Sequence, residues 1–283
     1  MCPAPVSEGD DRGYLIPIGG GEEKELDPVI LRRFVELSGG DGANIVIIPT
    51  ASQLDDTGPR YEKIFRGLGA SQTSSIPIAS RKDCNNPEFA ERCENASGIF
   101  ITGGNQLRLS AILGGSDVAQ TIRRVNARGV PVAGTSAGAS IMSEHMMAGG
   151  EPDSSPSEGG AVLAPGLGLT NAAVIDQHFS ERNRLGRLLS AIALNPFLLG
   201  MGIDEDTAAF IDNHGVLEVI GSGTITIVDG GDMVYCSAHA AQRDQGLGML
   251  GLKMDILHEG CHYDLTMREA FPPTGDTDNV CSI

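Results

Sequence analysis

The chain has 283 residues, with 20 Lys and Arg against 37 Asp and Glu, and so a formal net charge of −17. A hydrophobic content of 41% with 20% charged residues is that of a folded globular protein and excludes wholesale disorder. The acidic balance, with no basic patch interleaved with aromatics, argues against nucleic acid as a partner, and no apolar run approaches the roughly 20 residues that cross a bilayer.

Residues 1–11 carry no basic start and no apolar stretch, so no signal peptide is expected. Residues 14–18, 45–48, 98–101 and 130–133 are short Val/Ile-rich runs that end in Gly or Pro-Thr, the pattern of strands buried on both faces. Between them, residues 28–38, 58–68, 106–113 and 117–127 place apolar side chains three and four apart and predict helices. This alternation predicts an α/β fold, a mostly parallel, doubly wound sheet with helices on both faces.

Residues 149–168 are rich in Gly, Pro and Ser and predict a long surface loop near a site. A helix is expected over 180–194. Strands follow at 207–212, 215–220, 224–228 and 248–257. About 12 residues at each end are expected to fray. No repeat or linker divides the chain, so residues 1–283 read as one domain. The six cysteines (Cys2, Cys84, Cys93, Cys236, Cys261 and Cys281) lack CxxC spacing and read as reduced thiols of a cytoplasmic protein.

The strongest chemical signal is Gly134-Thr135-Ser136-Ala137-Gly138, placed between a buried strand and a small-residue segment able to start a helix. G-x-S-x-G in that context is a sharp turn that lifts a serine hydroxyl above the sheet, with glycines relieving the crowding. The N–H of Ala137 then points where an oxyanion would form. A serine needs a base, and of six histidines His178 stands out. It lies in the dense polar stretch 176–187 that follows the apolar run 172–175, as expected where a strand's carboxyl end builds a site. Asp204, Glu205 and Asp206 follow another apolar run and offer three carboxylates to orient the imidazole, with spacing alone unable to choose among them.

Two motifs fail on physical grounds. His258-Glu259-Gly260-Cys261-His262 matches the H-E-x-x-H zinc pattern, which needs a helix so that both histidines share a face. Alternating apolar residues at 250–256 lead into it with strand period, and residues four apart on a strand lie about 13 Å from each other. Gly19-Gly20-Gly21 lacks the third glycine of a dinucleotide fingerprint and is followed by acids where phosphate would bind. Close backbone packing near the site is the expected role of these glycines.

The segments GGGEE, ITGGNQLRL, GTSAGAS, DQHFSERNRLGRL and GIDEDTA, in this order, resemble the cyanophycinase family of peptidase E-like serine peptidases over residues 15–257. The resemblance implies a flavodoxin-like fold akin to class I glutamine amidotransferases, a homodimer, and no metal or cofactor. It makes Ser136 the nucleophile, His178 the base and Glu205 the orienting acid. Gly103 and Gly104 would add to the oxyanion hole. Gln106, Asp176, Gln177, Arg182, Arg184 and Arg187 would line the substrate pocket.

One departure stands out: the family commonly has Gly-Gly-Asp-Gln, whereas Asn105 occupies the acid's place here. The implied substrate is cyanophycin, a poly-aspartate with an arginine on each side-chain carboxyl, so each unit carries one guanidinium and one carboxylate. The same triad would also serve a peptidase E-like dipeptidase for short aspartyl or isoaspartyl peptides. The scaffold without its chemistry would serve a non-catalytic binding protein.

Overall fold

Val/Ile runs with no polar alternation must be covered on both faces, and the computed structural model, which describes residues 2–150, 152–153 and 155–274, places them so. The first half of the chain alternates β1 (Leu15–Ile18), α1 (Val29–Leu37), β2 (Asn44–Ile48), α2 (Thr57–Gly67), β3 (Gln72–Ser75) and α3 (Pro87–Glu94). It continues through β4 (Gly98–Ile101), α4 (Gln106–Leu113), α5 (Asp117–Asn126), β5 (Val132–Thr135) and the single turn α6 (Ala137–Ser140). The second half holds β6 (His145–Gly149), β7 (Val162–Pro165), β8 (Ala173–Gln177), α7 (Leu185–Leu194), β9 (Leu199–Ile203), β10 (Thr207–Ile211) and β11 (Val216–Gly221). Last come β12 (Ile225–Asp229), β13 (Tyr235–Cys236), β14 (Met249–Leu250), β15 (Lys253–Leu257), β16 (His262–Asp264) and β17 (Glu269–Phe271).

The large sheet has the order β17-β16-β11-β10-β1-β5-β4-β2-β3. From β1 to β3 all neighbours are parallel. From β1 outward through β10, β11, β16 and β17 they are antiparallel. The α/β class expected from sequence therefore holds, with the parallel half carrying the crossover helices and an antiparallel wing added beyond β1. A second sheet, β15-β12-β9-β8, includes one parallel pair, β8 with β9.

Two cores flank the large sheet. On one face Ile16, Ile18, Phe34, Tyr61, Phe65 and Phe100 pack beneath α1 and α2. On the other, Val46, Ile99, Leu109 and Ile122 join Ile175, Met201 and Ile227, so the second sheet shares this core. Side chains close the helix ends. The Asn105 carboxamide accepts the Arg108 N–H at 3.0 Å and starts α4, and the Ser116 hydroxyl accepts the Ala119 N–H at 3.2 Å and starts α5.

Several expectations need correction. The predicted helix over 180–194 begins only at Leu185. Asp204 takes the N–H and the hydroxyl of Ser180, and His178 and Asn183 sit at φ 48° and 49°, so residues 178–183 form a turn. The predicted loop 149–168 contains β7, paired with β6 as a hairpin. The run 248–257 splits into β14 and β15 around Gly251 at φ 86°. The edge strand β3, Gln-Thr-Ser-Ser, offered no apolar signal, and α3 was likewise not expected.

In the N-terminal segment Arg123 donates to the Cys2 sulfur at 3.1 Å and Arg12 donates to the Ala4 carbonyl at 2.5 Å, while residues 5–11 are exposed. The expected fraying beyond residue 274 and the Cys281 thiol lie outside the described residues. The five described cysteines are unpaired. No described helix is long and apolar enough to cross a membrane.

The Phe100 ring centre lies 4.7 Å from that of Tyr61, in a tilted pair, and 5.0 Å from that of Phe65, in an edge-on pair, within the α1–α2 core. Phe100→Ala is expected to cost about 3–5 kcal/mol in equilibrium denaturant unfolding.

Candidate active site

Five strands, β1, β4, β5, β8 and β9, deliver their carboxyl ends to one place. Ser136 is the first residue after β5 and His178 the first after β8, while Glu205 is the second after β9. Gly19 follows β1, and Thr102-Gly103-Gly104 follows β4. This is the crevice position that open α/β sheets favour for ligands.

Ser136 is half-buried and holds a strained backbone, φ 55° and ψ −115°. The turn is possible because Gly134 and Gly138 touch: a β-carbon on Gly134 would lie 2.3 Å from the Gly138 carbonyl oxygen. The Ser136 Oγ lies 2.8 Å from His178 Nε2, and His178 Nδ1 lies 2.5 Å from Glu205 Oε1. An ionised carboxylate only accepts, so Nδ1 carries the proton and Nε2 is left to accept from the serine hydroxyl. Gln177 Oε1 is a second, longer acceptor 3.4 Å from the serine oxygen.

Geometry decides among the three acids. Asp204 is buried and accepts from Ser180 and from the N–H and hydroxyl of Thr224 at 3.1 and 2.7 Å. Asp206 accepts from the Glu23 N–H at 2.9 Å and the Ser222 hydroxyl at 2.7 Å. Only Glu205 faces the imidazole. Its side chain is 42% exposed, so it orients His178 from the solvent side.

Burial pushes the His178 imidazole below its ordinary range, opposed by the hydrogen bond to Glu205 and reinforced by the charge of Arg182. The ring stays neutral at neutral pH. Gly20, at φ 105°, lies against it: a β-carbon there would come within 2.3 Å of His178 Cε1. The glycine triplet thus packs closely at the site, as its sequence suggested.

The remaining expected residues divide into two groups. Gly103 sits beside the serine, its missing β-carbon 3.1 Å from Ser136 Cβ, and the N–H groups of Gly103, Gly104 and Ala137 donate to no described acceptor. Gln106 is half-buried and donates weakly to the Ala148 carbonyl at 3.4 Å, and Arg182 is exposed.

Asp176 and Arg187, expected to line a pocket, are instead committed to each other. Asp176 has no exposed surface, and Arg187 grips both its oxygens, with Nε to Oδ2 at 2.6 Å and Nη2 to Oδ1. Arg184 reaches the same carboxylate at 3.5 Å and donates to the Gln177 carbonyl. Its Nε–H is buried without a partner among the described residues. Burial lowers the Arg184 guanidinium to about 10, against the raising effect of Asp176, and it remains charged at neutral pH. Arg184 immediately precedes α7, whereas Arg187 lies within it. Asn105, the departure from the family pattern, caps α4 with a bond that an Asp carboxylate would also make. The H-E-x-x-H segment turns between β15 and β16 and is not helical.

Three side chains were missed by sequence reasoning: Glu22, Tyr61 and Thr135, which form a buried cluster beside the serine. The only hint was an acid directly after the glycine triplet.

An α/β sheet with a Ser–His–carboxylate row at its strand ends defines a protein built like the hydrolases that activate a serine. Residues 15–219 match peptidase family S51, and the chain belongs to that family. The cyanophycinase of Trichormus variabilis is 40% identical over 260 residues, 91% of this chain and 87% of the relative. That of Geminocystis herdmanii is 40% identical over 255 residues, 89% and 94% of the two chains. That of Synechococcus elongatus is 39% identical over 256 residues, 90% and 80%. The crystal structure of a peptidase from an acI-B1 Actinobacterium shares the fold at TM-score 0.67 and 23% identity, covering 93% of this chain and 98% of that one. A putative peptidase E protein from Listeria monocytogenes EGD-e does so at TM-score 0.51 and 21% identity, covering 75% and 98%.

The His178 environment is testable by NMR titration of its ring proton. The midpoint is expected below the ordinary value of about 6.5. Because Arg182 disfavours the imidazolium, Arg182→Ala should move the midpoint up, toward that value; no movement would remove Arg182 from the site's field.

Proposed function

We propose that the protein is a cyanophycinase, a serine exopeptidase that releases β-aspartyl-arginine dipeptides from cyanophycin. The observation that carries this reading is the unbroken row Ser136–His178–Glu205, with contacts of 2.8 and 2.5 Å, in a chain about 40% identical to cyanophycinases over nine-tenths of its length.

His178 takes the Ser136 proton as the hydroxyl attacks the carbonyl of the terminal peptide bond. The N–H of Ala137 and those of Gly103 and Gly104 receive the oxyanion. Since α6 is a single turn of four residues, these amides act as individual donors and not through a long helix dipole. His178 then gives its proton to the departing amine, and water, activated by the same imidazole, cleaves the acyl-enzyme.

Substrate recognition needs donors for carboxylates and acceptors for guanidinium groups. The charge of Arg184, held beside the serine's neighbour Gln177 by the bond from Nη1 to the Gln177 carbonyl, supports a role in binding a substrate carboxylate. Arg187 and Asp176 form the wall that holds Arg184 in place. Asp176 is consequently unavailable to a substrate guanidinium. Gln106, Gln177 and Arg182 complete the proposed lining. The reading includes a cytoplasmic homodimer. The edge strand β15 supports the second copy, since its Met254 and Ile256 are 51% and 64% exposed.

Incubation with cyanophycin granules and mass analysis of the soluble product tests the reaction: a single β-Asp-Arg dipeptide is expected. Ser136→Ala should lower turnover by about 10⁴ or more; release at a comparable rate would refute the nucleophile. Arg184→Ala is expected to raise KM for the polymer about tenfold or more, with a smaller change in kcat. An unchanged KM would remove Arg184 from binding. Arg187→Ala is the poorer probe, because it strands the buried Asp176 charge and threatens the fold.

A further inference from the structure

The loop from Gly19 to Lys24, between β1 and α1, touches His178 and Glu205 directly and reaches Thr135, the residue before Ser136. The Gly19 carbonyl accepts the His178 N–H at 2.8 Å, and Gly20 lies against the imidazole. A β-carbon on Gly21 would come within 2.9 Å of Glu205 Oε2. The Gly20 carbonyl accepts the Asp206 N–H at 2.8 Å, and the Glu23 N–H returns a bond to the Asp206 carboxylate at 2.9 Å.

At the centre of this loop stands a buried carboxylate. The Glu22 side chain is 1% exposed. Its Oε1 accepts the Tyr61 hydroxyl at 2.6 Å and lies 3.1 Å from the Lys24 ammonium. Its Oε2 accepts the Thr135 hydroxyl at 2.6 Å. Burial, together with the charge of Glu22, pushes the Tyr61 phenol far above its ordinary range, so it remains a donor.

Thr135 is the last residue of β5 and adjoins Ser136, whose left-handed backbone persists only where its surroundings over-determine it. A buried ionised group is expensive unless each oxygen is satisfied, and here one oxygen is satisfied by the residue that sets the serine's direction.

We propose that Glu22 is a positioning residue: through the Thr135 hydroxyl it fixes the turn that aims Ser136, and it locks that turn to the loop backing His178 and Glu205. The proposal rests on the reading of Ser136 as nucleophile. Glu22 touches neither substrate nor reacting atoms. Its effect is on how often the serine oxygen lies within reach of Nε2, and displacement by about 1 Å costs on the order of a hundredfold in rate.

The test compares Thr135→Val, which keeps the shape and removes the hydroxyl, with Thr135→Ser, which keeps the hydroxyl. Glu22→Gln serves as a second disrupting variant, and Val125→Ala, in the distant α5 core, as a control for general destabilisation. Two quantities are read per folded molecule: kcat and KM on cyanophycin, and the rate at which phenylmethanesulfonyl fluoride labels Ser136. Thr135→Val and Glu22→Gln are expected to lower kcat and the labelling rate about 10- to 100-fold with KM within about twofold. Thr135→Ser should retain both rates within about threefold.

Full rates in Thr135→Val would overturn the proposal. So would an equal loss in Thr135→Ser, or a loss that Val125→Ala reproduces at the same drop in melting temperature. Should the wild-type protein release no dipeptide from cyanophycin, the substrate reading fails on its own. The labelling rates still decide the role of Glu22.

Discussion

Everything at this site depends on one conformational constraint: a single serine is held in left-handed backbone at the end of a buried strand. The hydroxyl clears the sheet only because β5 stops at Thr135 and turns at once, with Gly134 and Gly138 in contact beneath. Such a turn has an unfavourable local energy of about 1–3 kcal/mol, and it survives because packing on both sides leaves no alternative. The N–H of Ser136 is anchored to the Ile18 carbonyl at 2.9 Å, so β1 and β5 jointly fix its height above the sheet.

The electrostatics are layered. Outermost is Glu205, partly solvated, facing an imidazole whose own burial favours the neutral form. Behind it lie two dry ionic clusters, Asp176 with Arg184 and Arg187, and Glu22 with Lys24, Thr135 and Tyr61. Neither cluster presents an unpaired charge to solvent, yet each holds a specific residue in place: Arg184, with a buried donor unused among the described residues, and Thr135 beside Ser136. In an acidic chain, local cations are spent on fixed internal partners, which makes their positions rigid.

Much of this was legible in the sequence. The Val/Ile runs gave β1, β2, β4 and β5 within two residues at each end, though not the parallel edge strand β3, and three- and four-residue apolar spacing gave the bounds of α4, which Asn105 caps. Ser136 and His178 could be named from context, since each follows an apolar run at a strand end. Choosing Glu205 over its neighbours was not possible from spacing. The choice depends on Ser180 and Thr224 claiming Asp204, and on Glu23 and Ser222 claiming Asp206, contacts between segments remote in sequence. The same kind of contact cut short the helix expected at 180. Periodicity registers which residues are apolar, and it is blind to a serine captured by an aspartate 24 positions away. Glu22 was missed for a related reason: a lone acid after glycines looks solvated until Thr135 and Tyr61 are folded around it.

The order in which the chain supplies these parts has a consequence for synthesis. The serine follows β5, but its imidazole follows β8 and the carboxylate that faces that imidazole follows β9. During translation the growing polypeptide carries an inert hydroxyl until residues well past its midpoint have left the ribosome and the second sheet has docked. A hydrolase assembled in this sequence is silent toward itself and its neighbours while it is still a nascent, half-unfolded chain.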